Sequence, residues 1–104
     1  MKKNDLIINV VDTVSNGYIH DKRLLKEEAL GIIVLSEDEH RMCQRIVAHI
    51  EILVSYLDEK DRFIIDNEVL QGKKGTWYLD YYSVPTYYRH KNHAYEVFYK
   101  LLNS

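Results

Sequence analysis

One proline interrupts this chain, at position 85, and it stands two residues after Ser83, where a helix begins rather than breaks. Proline costs nothing in a first helical turn, because its missing N–H has no intrahelical partner there anyway. Only four glycines accompany it. So few breakers, with apolar residues recurring at spacings of three and four, predict an all-α chain rather than a sheet protein. The 104 residues suit a single helical domain, and a hydrophobic content of 46% is enough to fill a modest core.

Helix signals follow along the chain. Ile7, Val10, Val11 and Val14 lie at helical spacing over residues 5–16, with Asn4 or Asp5 as cap and Asn16-Gly17 as the expected stop. The β-branched content leaves a strand as the alternative for this segment. Asp21 can cap a second helix from Lys22 to about Leu30, which Gly31 interrupts. Ile32 to Leu35 is an apolar link of undefined state. Ser36-Glu37-Asp38-Glu39 reads as a capping box, and Met42, Ile46, His49, Ile50, Leu53 and Leu57 continue it as one amphipathic helix over about 37–57. Asp58, with Asp61 three residues on, caps a shorter helix that carries Phe63, Ile64, Val69 and Leu70 and stops at Gly72. Lys73 and Lys74 occupy the loop after it. Thr76 can cap a short helix from Trp77 to about Tyr82, and Ser83 the last one, whose face is Tyr87, Ala94, Phe98, Leu101 and Leu102.

Charge is distributed unevenly. Residues 1–70 hold 9 Lys/Arg against 14 Asp/Glu, whereas residues 71–104 hold 5 against 2, a local excess of +3 on a chain of net −2. Such a chain touches phosphate with one end only. The single Cys43 cannot form an internal disulfide, so a reducing, cytoplasmic setting and a buried structural thiol are expected. No stretch approaches the roughly 20 apolar residues of a membrane span. Met1-Lys2-Lys3-Asn4-Asp5 does not read as a signal peptide.

A short helix joined tightly at Ser83 to a long one is the outline of a helix-turn-helix, expected at about 76–102. In that geometry the second helix offers its N-terminal turns to base edges in the major groove. With Tyr87 and Ala94 facing the core, Pro85, Thr86, Arg89, Asn92 and His93 fall towards the other side. Arg89 can pair bidentately with guanine and Asn92 with adenine. Ser83, Thr86, Tyr88 and Lys91 suit phosphate oxygens, as does the helix N-terminus, and Lys73 and Lys74 can hold the backbone from the preceding loop.

The run Ser83, Thr86, Tyr87, Tyr88, Arg89, Lys91 and Ala94 resembles the fourth region of bacterial sigma factors. It is most similar to the small sigma-like regulators of low-GC Gram-positive bacteria and their phages, of the late-gene activator and autolysin-regulator types. Upstream, residues 57–65 look like the helix that opens that region. The resemblance covers about residues 50–102; residues 36–104 form the sigma-like part, and residues 1–35 match nothing. Departures are Pro85, in place of a polar residue, and a short segment from Gly72 to Ser83 that lacks the Ile-Ala pair of the first helix. The resemblance implies sequence-specific binding of double-stranded DNA, transcription regulation and contact with RNA polymerase.

Plainer readings stand beside these. The aromatic residues from Trp77 to Tyr99 are expected to be mostly core, with hydroxyls at the rim, rather than a stacking platform. His90 and His93 are three apart, but no third ligand is suggested by spacing, so no metal and no cofactor are expected. The carboxylates read as caps and solvated faces, so no enzyme activity is expected. The helix over 37–57 is the natural protein contact or homodimer seam. The competing functions are a helical protein–protein interaction module and a small phage DNA-packaging subunit.

Overall fold

Ser36 accepts a hydrogen bond at Oγ from the Glu39 backbone N–H (3.1 Å), and the Glu39 carboxylate accepts from the Ser36 N–H (3.0 Å). The expected capping box therefore starts the second helix, α2, Glu37–Ser55. The computed structural model describes residues 3–104; Met1 and Lys2, part of the N-terminal stretch read above, lie outside the described residues. The fold is all-α: α1 is Lys3–Ala29, α3 is Glu59–Ile65 and α4 is Val84–Leu102. No helix among the described residues is long and apolar enough to cross a membrane. One core draws on all four, with Val11, Ile64, Ile65, Val69 and Phe98 almost fully buried.

The N-terminal segment departs from expectation. Asn16-Gly17 does not end a helix, and α1 runs through it for 27 residues without a break at Asp21. A helical glycine costs about 1 kcal/mol, and tertiary contacts on either side of it outweigh that. Ser15 donates from Oγ to the Val69 carbonyl (2.8 Å), and buried Tyr18 donates from its hydroxyl to Glu51 of α2 (2.6 Å). Ile7, Val11, Ser15 and Tyr18 form one continuous buried row across Gly17. The helix ends instead at Gly31, φ +77°, with its N–H on the Glu28 carbonyl and that of Ile32 on the Glu27 carbonyl, both parts of a Schellman motif. The apolar link that follows is irregular chain, with Ile32 and Val34 exposed.

The face of α2 is also rotated from the expected one. Ile50, Leu53 and Leu57 are buried as read, but Met42, Ile46 and His49 are exposed, and Cys43, Val47 and Val54 take the inner row. Apolar residues on this helix cover more than one face, so periodicity alone admits either row; packing against α1 selects between them. Arg62 closes the C-terminal end by donating to the Ser55 and Leu57 carbonyls.

Asp58 caps α3 by accepting from the Asp61 N–H (2.9 Å). The expected continuation to Gly72 is a π-helical turn, Asp66–Leu70, closed by Gln71 N–H on the Asp66 carbonyl. It turns Asn67, Glu68 and Val69 inward in succession. Gly72, φ +68°, then reverses the chain so close to α1 that a Cβ there would stand 2.7 Å from Ile19 Cδ1. The expected helix from Trp77 to about Tyr82 is a single 3-10 turn, Trp77–Asp80, and Thr76 makes no side-chain cap bond. Packing of Tyr81 and Tyr82 edge-on to Phe63 (ring centres 5.0 and 6.2 Å) takes the chain out of helical register before Ser83. The C-terminal end thus has one full helix preceded by a turn, not two α-helices.

Candidate nucleic-acid interface

Glu68 anchors the helix that carries most of the expected site. It is a buried carboxylate inside the π-helical turn. It accepts from the Tyr87 hydroxyl, from the Tyr95 hydroxyl (2.7 Å) and from Trp77 Nε1 (2.8 Å), and Lys91 Nζ stands 3.7 Å away. Tyr87 also stacks flat on Tyr78, with ring centres 3.5 Å apart. Burial, followed by the bond to the Glu68 carboxylate, pushes the Tyr87 hydroxyl well above the ordinary tyrosine range. Burial and the Glu68 charge do the same to Tyr95. Both remain neutral donors at physiological pH, so the hub holds one acceptor charge, two phenols, an indole and an ammonium. It locks the N-terminal half of α4 in roll and depth.

That roll decides which side chains are offered outward. With Tyr87, Ala94, Tyr95 and Phe98 buried, Pro85, Arg89, Asn92 and His93 are exposed along one stripe of α4. Arg89 and Asn92 make no side-chain hydrogen bond or ion pair among the described residues. At the N-terminus Ser83 is the cap residue, but its Oγ donates to Thr86 Oγ1 (2.9 Å) and takes no backbone N–H. No acidic residue lies in the first turn of α4. Its leading amides and dipole therefore face solvent without a side-chain acceptor, an arrangement that favours an anion.

His93 on the same stripe is tied at its base. Nδ1 lies 2.8 Å from Asp61 Oδ1, and that hydrogen bond, helped by the carboxylate charge, raises the imidazole above its ordinary value. Asp61 is buried while the His93 side chain stays 65% exposed, so the ring is oriented but accessible. His90 does not join it as a ligand pair; it tilts against Tyr82 at 5.2 Å. No group of three or more His, Cys, Asp or Glu among the described residues is arranged to hold a metal.

The remaining expected residues form a second group. Lys73, Lys74, Tyr88 and Lys91 line a cleft of about 320 Å³ between α1, the Gly72–Gly75 loop and α4, together with Asp12 and Glu68. Lys73 donates to Asn67 Oδ1 (2.8 Å) and sits over Trp77, and Lys91 lies over the Tyr87 and Tyr95 rings with only 22% of its side chain exposed. Lys74 is exposed and makes no ion pair among the described residues. The expected site is thus two adjacent surfaces: an outward stripe that can enter a groove, and a lysine-edged cleft beside it.

Most of the aromatic cluster is interior or half-buried, as expected; Tyr81 and Tyr88 are the exposed members of the run. Sequence reasoning missed Glu68 and took Asp61 only as part of a cap. No local signal marks Glu68 out, because Asp66 and Asn67 stand directly before it and its donors Trp77, Tyr87 and Tyr95 lie 9, 19 and 27 positions on. Comparison with protein-family models, with curated proteins and with solved structures finds no match to this chain.

Proposed function

We propose that this chain binds double-stranded DNA through the outward stripe of α4 and acts as a transcription regulator of sigma-like type. The observation that carries the reading is the exposed, unpaired Arg89 on a helix whose roll the Glu68 hub fixes. Arg89 and Asn92 reach base edges. The α4 N-terminus, Ser83, Thr86 and Pro85 approach one phosphate strand. Lys74, with Tyr88 and the partly engaged Lys73 and Lys91, meets the other. His93, oriented by Asp61, adds a phosphate donor when protonated. Recruitment of RNA polymerase, and a cytoplasmic location with Cys43 reduced, belong to the same reading.

The test is binding to a site selected from random duplex DNA, followed over a salt series. Arg89→Ala is expected to cost about 1–3 kcal/mol on the selected site and to relax base preference, whereas Lys74→Ala weakens all sequences evenly and lowers the salt slope by about 1. Equal affinity of the Arg89→Ala variant and the parent across sequences overturns the assignment. A salt-independent failure to bind any duplex favours the second reading, a protein interaction module, which the exposed apolar side chains of α2 support.

A further inference from the structure

The cleft beside α4 has a wall that the proposed DNA contacts do not use. Asp12, Ser15, Asn16 and Ile19 recur on α1 at helical spacing, so they share one face, and that face forms one side of the cleft. The Gly72 turn presses the loop onto this wall, where a Cβ would meet Ile19. Lys91 lies recessed, its ammonium held near Glu68 and over the Tyr87 and Tyr95 rings. The lysines therefore border a concavity of about 320 Å³ rather than a convex ridge. That volume lies at the lower end of small-molecule sites, which pair a concave shape with a few convergent polar groups.

The polar groups of the cleft are divided in kind. Lys73 donates to a neutral acceptor, Asn67 Oδ1, which leaves its charge uncancelled there. Lys74, Asn16 and the Tyr88 hydroxyl make no hydrogen bond among the described residues. Three ammonium groups, Lys73, Lys74 and Lys91, stand against two carboxylates, Asp12 and Glu68, a surplus of one positive charge. Tyr88 is half exposed, and its ring is steadied edge-on by Tyr78 and Tyr87, with ring centres 6.5 and 5.0 Å away.

We propose that this cleft binds a nucleoside monophosphate. Lys73 and Lys74 take the phosphate, the open face of Tyr88 takes the base, and Asp12 and Asn16 on the α1 wall take ribose hydroxyls. Size and charge select this class. A free phosphate leaves the α1 wall and most of the volume unused. A triphosphate brings about four negative charges to a cleft that already holds two carboxylates. The occupant shares Lys73, Lys74 and Tyr88 with the DNA contacts proposed above, but its binding is a property of the free chain and does not rest on that reading.

Calorimetric titration of the full chain with adenosine monophosphate tests it, with inorganic phosphate and adenosine as the two half-ligands. The expected result is saturable binding of one molecule per chain with a Kd below about 1 mM, and about tenfold or weaker binding of each half-ligand. Lys74→Ala, at an exposed position, is expected to weaken the nucleotide and phosphate alike by about fivefold or more. Tyr88→Leu, which keeps an apolar contact with Tyr78 and Tyr87, is expected to weaken the nucleotide by about fivefold and leave phosphate unchanged. Lys60→Ala, an exposed lysine of α3 outside the cleft, leaves both affinities unchanged. No saturable binding of the nucleotide overturns the proposal. So does a half-ligand that binds as tightly as the whole, and so does a nucleotide affinity that Lys60→Ala lowers as much as Lys74→Ala. No duplex is present in any arm, so such a failure leaves the Arg89→Ala test of DNA binding standing.

Discussion

Glu68 shows how one residue can organise a surface that it does not form. Its carboxylate satisfies Tyr87, Tyr95 and Trp77 while neutralising Lys91. Removing the charge but keeping the shape leaves buried donors competing for one weaker acceptor. Glu68→Gln is therefore expected to destabilise the fold by about 1–3 kcal/mol in urea denaturation. An unchanged midpoint would show that the hub carries no net stability. The His93–Asp61 pair gives a pH dependence of defined sign. The folded-state imidazole is held above its ordinary value, chiefly by its hydrogen bond to Asp61. The bond's contribution is then complete below the unfolded value of about 6.5 and is lost as pH rises through the folded value. Urea midpoints should fall more steeply from pH 6 upward for the parent than for His93→Gln; parallel profiles would contradict the pairing. The stripe of Pro85, Arg89, Asn92 and His93 was legible residue by residue, because Tyr87 and Ala94 mark the inner face at helical period. Lys91 was not, because its inward turn answers a carboxylate 23 positions away in the chain.

Elements were legible where their ends are chemical and illegible where their continuation is tertiary. The Ser36 box, the Asp58 cap and the Gly31 stop act within a few residues, and each stands where the sequence put it. Gly17 looked like a stop as well, yet it is helical, exposed and has no neighbour within 4 Å of an added Cβ. Gly17→Ala is accordingly expected to stabilise the protein by about 0.5–1 kcal/mol. Gly72→Ala is expected to act oppositely, by about 1–3 kcal/mol, because a left-handed φ and the Ile19 contact both resist a side chain. Thermal melts of the two variants, shifted up and down from the parent, check this pair. If Gly17→Ala melts lower, α1 is not continuous in solution. The π-helical turn at Asp66–Leu70 had no sequence signal, since a one-residue widening follows from what Asn67, Glu68 and Val69 meet inside.

At the scale of the molecule, two surfaces share a single scaffold. The basic C-terminal third presents an α4 stripe to DNA in the proposed function, and α2 leaves Met42, Ile46, Ile52 and Tyr56 exposed to water. The expected helix-turn-helix is replaced by a 3-10 turn leading into α4, so the presentation of α4 depends on the Trp77, Tyr78 and Tyr87 packing and on Glu68 rather than on a first helix. By itself the sequence determined the all-α class, the Ser36 and Asp58 caps, the local basic excess and the outward face of α4. These are set by interactions between residues a few positions apart, or by simple composition. Only the tertiary structure decided the continuity of α1, the row that α2 buries, the widened turn after α3 and the split of the lysines from the α4 stripe. Each of those depends on a partner far away in the chain, and periodicity carries no information about which of two apolar rows that partner will cover.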